Sequence, residues 1–191
     1  ALESRHLGLV TADEVAGLKE KLKKLAAQAE QTMDLDGLLA LAASAPDLDA
    51  GPLDLPEPVE GTPVIAVARD KAFCFYYADG LELLEKLGAR LVEFSPLEDQ
   101  ALPEGTCGLY LGGGYPELLA EQLSQNTAML SAIRNGVAGG LPTVAECGGF
   151  LYLHEKLEDV GGKDWPMAGV IPGRAWNTGK LGRFGYVTLT A

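Results

Sequence analysis

The stretch TVAECGGFLYL, residues 143–153, decides the fold prediction for this chain. A short apolar strand runs into Glu146 and Cys147, two glycines follow, and an apolar pattern at helical spacing then begins. Glycines permit a sharp strand-to-helix turn, which would expose the Cys147 thiol above the edge of a sheet. The N–H groups at the helix start would stabilise a thiolate and later an oxyanion. The pattern indicates a nucleophile, although a lone cysteine is more often a small buried hydrophobe.

The rest of the chain from residue 64 alternates between strand and helix patterns. Strands are predicted at 64–68, 91–94, 108–111 and 143–145, and helices at 77–87, 116–123 and 126–137. This alternation is typical of an α/β fold with a mostly parallel sheet and helices on both faces. After Trp165 the pattern changes to glycine-rich short strands, and we expect the last strand, 186–191, to be cut within a domain.

The first 45 residues are predicted to be helical. Residues 11–14, TADE, form a capping-box pattern before apolar residues at helical spacing, and a second short helix is expected before Pro46. Residues 46–63 contain five prolines and no lysine or arginine, as expected for an extended linker. We therefore predict helices over 1–45, a linker over 46–63 and the main domain over 64–191.

The composition excludes several classes of function. A net charge of −12 argues against nucleic acids and anionic membranes as partners, because a protein binds their phosphate groups through a basic surface. The apolar runs are too short to span a bilayer. The three cysteines have no metal-ligand spacing and predict neither a disulfide framework nor a metal site, so a reducing cytoplasm fits best.

A second glycine-rich turn, LGGGYPEL at 111–118, follows the strand at 108–111. By itself such a run is typical of a flexible loop. In an open parallel sheet, however, ligands bind beyond the carboxyl ends of the strands, where both this turn and Cys147 are expected. We predict that the N–H groups of Gly113 or Gly114, together with that of Gly148, form an oxyanion hole and bind the substrate.

Together, these segments resemble the class I glutamine amidotransferase domain of the cobyrinic acid a,c-diamide synthases. The matching motifs are AFCFYY at 72–77, FSPL at 94–97, LGGGYPEL at 111–118, AECGG at 145–149, VIPGRA at 170–175 and LGRFGY at 181–186. Residues 5–10 resemble the tail of the family's ATP-dependent synthetase domain, so residues 1–45 are interpreted as the end of that amidoligase domain. The resemblance implies a flavodoxin-like architecture.

The resemblance also implies the chemistry. Cys147 would attack glutamine, and the ammonia released would amidate the carboxylates of a corrinoid precursor in cobalamin biosynthesis. ATP and Mg²⁺ would be used by the N-terminal synthetase domain, while this fragment would carry no cofactor of its own; a homodimer is compatible with this interpretation. The family's catalytic histidine is expected beyond Ala191. We expect His154 to lie roughly 10 Å further along the helix that follows Cys147, too far to reach the thiol. The chain would then be a fragment of a glutamine-hydrolysing carbon–nitrogen ligase, with little or no activity on its own.

Several alternatives stay open on sequence alone. They are another tetrapyrrole a,c-diamide synthase, a cobyric acid synthase (which the AFCFYY segment disfavours), an elbow-cysteine hydrolase of the DJ-1 type, and a non-catalytic interaction module. Residues 173–181 imitate a phosphate-binding loop, but the glycine spacing is wrong and Leu181 replaces the required hydroxyl. Cys74 and Cys107 are expected to be core or loop thiols. Tyr76 and Tyr77 are expected mainly to cover the sheet, with an interface role as the alternative.

Overall fold

The computed structural model describes residues 4–5, 8–48, 51, 54–180 and 188. The chain divides into two compact units, Ala1–Asp54 and Leu55–Ala191. The described linker residues, 46–48, 51 and 54–63, are in neither helix nor strand. His6, the motif at 181–186 and all of the predicted last strand except Thr188 lie outside the described residues.

The first unit is mainly helical. It contains the strands β1 (Ser4–Arg5) and β2 (Gly8–Leu9), a 3-10 turn (Ala12–Glu14), and the helices α1 (Leu18–Thr32) and α2 (Leu35–Ala43). The predicted capping box is wrong: Thr11 Oγ1 donates to the Glu14 carboxylate at 2.7 Å and makes no hydrogen bond to the backbone. Gly17, at φ 64°, separates this turn from α1, so the helix begins at Leu18. Neither helix has a buried residue among those described.

The second unit contains the predicted alternation of strands and helices. Its first elements are β3 (Val64–Ala68), α3 (Ala78–Lys86), β4 (Arg90–Phe94), β5 (Thr106–Leu111), a 3-10 turn (Pro116–Leu118), α4 (Ala120–Gln125), α5 (Thr127–Ala138), β6 (Thr143–Ala145) and α6 (Gly148–Tyr152). These bounds agree with the sequence prediction to within a few residues, except that the helix expected at 116–123 is divided into a 3-10 turn and α4.

Four strands form a parallel sheet in the order β4-β3-β5-β6. The central strand β3 is apolar and nearly all buried, as expected for a strand covered on both faces. The prediction of a mostly parallel α/β sheet is confirmed. Its core consists of side chains from strands, helices and the loop after β3: Ala66, Ala68, Phe73, Phe94, Leu109, Leu111, Leu123, Met129, Ile133 and Tyr152.

A second, three-stranded sheet follows α6 in the order β8-β7-β9. It is built from β7 (His154–Glu158), β8 (Asp164–Pro166) and β9 (Ile171–Ala175). The expectation that His154 extends the helix after Cys147 is wrong, because α6 has only five residues and His154 opens β7. The Leu153 carbonyl accepts hydrogen bonds from the N–H groups of Val170 and Ile171, so the backbone pairs with that segment instead of continuing the helix.

No helix in the part of the chain that the structure describes has the length and apolar character needed to cross a membrane.

Candidate active site

The order of the strands places the candidate site. The chain passes from β3 to β4 on one side and then returns to β5 on the other, so the direction reverses between β3 and β5. A crevice is expected beyond the carboxyl ends of strands at such a point. Three loops meet there: residues 69–77 after β3, 112–115 after β5, and Glu146–Cys147 after β6.

Hydrogen bonds lock these loops to one another. The N–H groups of Cys74 and Phe75 both donate to the Gly113 carbonyl at 3.0 Å. The Gly149 N–H donates to the Gly112 carbonyl at 2.9 Å, and the Glu146 N–H to the Leu111 carbonyl at 3.0 Å. The loop after β5 is therefore held on one side by the loop after β3 and on the other by the turn that carries Cys147.

Cys147 occupies the sharp strand-to-helix turn that the sequence predicts, and its backbone there is strained. It lies at φ 49° and ψ −114°, a backbone conformation that a non-glycine residue rarely adopts, and it immediately precedes α6. Its side chain is exposed. Backbone strain of this kind costs about 1–3 kcal/mol and is concentrated at functional sites. In a strand-to-helix turn, the strained conformation presents the side chain at the top of the sheet.

Glycine is required where the three loops cross. A Cβ on Gly114 would overlap the backbone carbonyl of Ala72, and one on Gly149 would lie 2.6 Å from the carbonyl carbon of Leu111. A Cβ on Gly148 would lie 2.8 Å from Cδ of Pro116. The glycines therefore allow backbone segments to approach one another closely.

The three glycines predicted as substrate-binding residues differ in what their N–H groups do. Gly113 donates to the Phe75 carbonyl at 3.3 Å, and the two residues form an isolated antiparallel bridge. Among the described residues, the N–H groups of Gly114 and Gly148 have no hydrogen-bond acceptor. These two amides are therefore available to an oxyanion beside Cys147, whereas that of Gly113 would first have to leave Phe75; the substrate role of all three stays a prediction.

The loop after β3 is anchored by a carboxylate that the sequence analysis missed. Oδ1 of Asp70 accepts hydrogen bonds from the N–H groups of Ala72 at 2.8 Å and Phe73 at 3.2 Å. Its Oδ2 accepts from Ser95 Oγ at 2.9 Å and from the Leu97 N–H at 3.0 Å. Asp70 thus ties the loops after β3 and β4 together. The bonds to Ser95 and Leu97 join residues 25 and 27 positions apart in sequence, and such pairs leave no signal that spacing could reveal.

A cavity of ≈ 440 Å³ opens at this edge of the sheet. It is lined by Cys74, Phe75, Tyr76, Tyr77, Gly113, Glu146 and Cys147. Cys74 and the two tyrosines, for which core, loop or sheet-covering positions were expected, are therefore part of the cavity wall. Cys107, the third cysteine, is exposed on β5 and does not line it.

Two tyrosine hydroxyls are held in hydrogen bonds at this wall: that of Tyr76, which lines the cavity, and that of Tyr110, which contacts the lining residue Glu146. The Tyr76 hydroxyl donates to the Ala68 carbonyl and accepts from the Gly112 N–H at 2.9 Å; burial raises its pKa, which that N–H partly opposes. The Tyr110 hydroxyl donates to Oε1 of Glu146. Burial raises the pKa of Tyr110 to about 12, and the hydrogen bond and charge of Glu146 add to the shift. Both hydroxyls are therefore protonated donors at neutral pH.

His154 is not positioned at the cavity. Its Nδ1 lies 3.0 Å from the Phe150 carbonyl oxygen, its ring packs edge-on against the Phe150 ring at 4.9 Å, and it is not among the lining residues. In the described part of the chain, no group of three or more histidine, cysteine or acidic side chains is arranged to hold a metal ion.

Comparison with known proteins gives one family. Residues 64–188 match the family described as CobB/CobQ-like glutamine amidotransferase domain. The match covers the whole parallel sheet and the turn that carries Cys147.

Three curated relatives share one name. The chain is 45% identical over 188 residues to the cobyrinate a,c-diamide synthase of Caldanaerobacter subterraneus subsp. tengcongensis, covering 97% of this chain and 41% of the relative. It is 43% identical to that of Dehalococcoides mccartyi over 189 residues (97% and 41%), and 45% identical to that of Salmonella typhimurium over 191 residues (97% and 40%). The chain thus spans about two fifths of the length of these relatives.

Proposed function

Because the chain belongs to the family of CobB/CobQ-like glutamine amidotransferase domains, we propose that it is the glutaminase part of a cobyrinate a,c-diamide synthase. The observation that carries the proposal is the Cys147 turn: an exposed thiol at φ 49° beside two amides, Gly114 and Gly148, that lack acceptors among the described residues. This is the geometry that nucleophilic attack on a carboxamide needs.

In this proposal the thiolate Sγ of Cys147 attacks Cδ of the glutamine side chain. The carbonyl oxygen becomes an oxyanion that accepts hydrogen bonds from Gly114 and Gly148. The carbon–nitrogen bond then breaks, and ammonia leaves after taking a proton from the conjugate acid of the catalytic base. Water hydrolyses the glutamyl thioester, which gives glutamate and restores the thiol.

The base is assigned to a histidine outside residues 1–191, as the family resemblance implies. Support comes from His154, whose Nδ1 faces the Phe150 carbonyl and which lies outside the cavity wall. The proposal therefore assigns the nucleophile and the oxyanion hole to this chain and the base to the remainder of the protein.

The whole protein is proposed to use the ammonia for ATP-dependent amidation of corrinoid carboxylates. Residues 1–45 would be the last helices of its amidoligase domain. ATP and Mg²⁺ would be bound by that domain, and no described group of carboxylates in this chain fits the metal ion. The names of the relatives favour a cobyrinate substrate over that of cobyric acid synthase. Cys74, Cys107 and Cys147 form no disulfide, which fits a reducing cytoplasm.

The test compares two nitrogen sources in the full-length protein. In Cys147→Ser, glutamine-dependent amidation of a corrinoid carboxylate should fall by about a thousandfold, whereas amidation driven by added ammonia should stay within about twofold of wild type. Cys107→Ser, which replaces an exposed thiol outside the cavity, is the control and should change neither rate. Glutamine-dependent amidation that survives in Cys147→Ser would rule out the proposal.

A further inference from the structure

Glu146 is the one carboxylate among the described residues that line the cavity, and no lysine, arginine or histidine lines it. Glu146 directly precedes Cys147 in the sequence, and both residues line the cavity. The cavity therefore has a negative group beside the nucleophile and no matching positive group. A ligand that presents a cation beside the exposed Glu146 carboxylate would find a counter-charge there.

The Glu146 carboxylate is held in place from one side. The Tyr110 hydroxyl donates to Oε1, and the Tyr110 ring packs edge-on against the Tyr76 ring with centroids 5.2 Å apart. No other hydrogen bond to the carboxylate is found among the described residues. Tyr110 thus fixes one oxygen of Glu146 and leaves Oε2 for a ligand.

Aromatic side chains form the part of the cavity wall next to Glu146. Phe75, Tyr76 and Tyr77 line the cavity with Glu146. Aromatic rings displace water from a bound ligand, and a charge pair is stronger where less water screens it.

The length of glutamine determines where its α-ammonium would lie. With its carboxamide at Cys147, an extended glutamine places its α-ammonium about 5 Å from the reacting carbon, as bond lengths dictate. We propose that Glu146, held by Tyr110, binds the α-ammonium of glutamine and makes the site select substrates with a free α-amino group. This inference rests on the proposed glutaminase function and adds to it a binding residue and a positioning residue.

The test labels Cys147 with a chloroketone analogue of glutamine in the full-length protein. The Cys147 thiolate displaces chloride from the chloromethyl carbon, which leaves a thioether that peptide mass spectrometry locates. The second-order labelling rate is measured for this reagent, for its N-acetyl derivative, and for iodoacetamide, which carries no charge. Labelling needs no turnover, so it does not depend on the rest of the catalytic cycle.

In Glu146→Gln, labelling by the chloroketone should slow by about tenfold or more, because a charged hydrogen bond to the ammonium is lost. Labelling by iodoacetamide should stay within about twofold, which distinguishes substrate binding from a role of Glu146 as the base for the thiol. Tyr110→Phe should slow chloroketone labelling by a smaller factor. Glu98→Gln removes an exposed charge outside the cavity and should leave all three rates unchanged.

The N-acetyl derivative separates charge from bulk. Wild type should label with it about tenfold more slowly than with the parent reagent, and Glu146→Gln should lose most of this discrimination. Discrimination that persists in Glu146→Gln, or chloroketone labelling equal to wild type, would overturn the inference while leaving the proposed function intact. Failure of the wild type to label at Cys147 would instead count against the proposed function.

Discussion

At the scale of single residues, the backbone of Cys147 has a conformation that lowers stability. A φ of 49° with ψ of −114° is unfavourable for any side chain and costs glycine little. The sequence predicted this turn because two glycines directly follow an apolar strand, which is a local signal. The close approach of the backbones at Gly114 and Gly149, beside this turn, appears in the sequence only as glycines.

Replacing Cys147 by glycine should stabilise the protein. Relief of backbone strain outweighs the greater chain entropy of glycine, so the free energy of unfolding should rise by about 1 kcal/mol. Cys107→Gly, in β5 without positive φ, should instead lower it by about 1 kcal/mol. Urea denaturation of both variants measures the difference. A loss of stability in Cys147→Gly as large as that in Cys107→Gly would show that the turn is not strained.

The Tyr110–Glu146 pair makes the free energy of unfolding depend on pH in the alkaline range. The pKa of Tyr110 is raised to about 12, above the ordinary value of 10, so the folded state keeps the proton after the unfolded state has lost it. This contribution is complete below pH 10 and is lost as the pH rises towards 12. Glu146→Gln should lower the pKa of Tyr110 only in part, because burial is the larger cause. Ultraviolet titration, with Tyr110→Phe to identify the signal, measures this; an unchanged pKa would contradict the pairing.

At the scale of elements, the site depends on α6 packing closely against β5. A Cβ on Gly149 would meet the carbonyl carbon and the Cβ of Leu111, each at 2.6 Å. Leu111 is fully buried, so neither backbone can move aside cheaply. The distance between the strand end and the helix start is therefore set by this glycine.

Gly149→Ala should destabilise the protein by about 2–3 kcal/mol, because the added methyl group overpacks a backbone contact. Gly80→Ala is the matched control: it lies in α3, and its nearest contact would be at 3.8 Å. It should stabilise the protein by up to about 1 kcal/mol through the helix propensity of alanine. Denaturant unfolding of both variants tests this, and equal effects would contradict the close approach.

The elements also show where sequence reasoning succeeds and fails. The strands and α3 follow from apolar runs and from Gly88 at the helix end, so their positions could be predicted. The end of α6 could not, because Leu153 satisfies its carbonyl with Val170 and Ile171, which lie in a distant segment. The same is true of the cavity wall at 74–77, where the N–H groups of Cys74 and Phe75 donate to the Gly113 carbonyl. Non-local hydrogen bonds, which leave no periodic pattern, account for both failures.

At the scale of the whole molecule, the linker gives a specific prediction for proteolysis. The described residues at 54–62 are exposed and lie outside helices and strands, and no lysine or arginine occurs in 46–63. A glutamate-specific protease should therefore cut the Glu60–Gly61 bond early in digestion, because Glu57 precedes Pro58 and resists cleavage, while trypsin should leave the linker intact. Mass spectrometry of the fragments reports the sites. First cuts by the glutamate-specific enzyme within 64–175 would contradict a compact second unit.

The proposed function depends on Sγ of Cys147 as the atom that accepts the glutamyl group from glutamine. The most direct measurement quenches the full-length protein in acid during turnover with isotopically labelled glutamine and maps the label by peptide mass spectrometry. We expect a glutamyl thioester, glutamine minus ammonia, on the peptide that contains Cys147, and none in Cys147→Ala. Label on a peptide containing Cys74 or Cys107, or ammonia release unchanged in Cys147→Ala, would contradict the account.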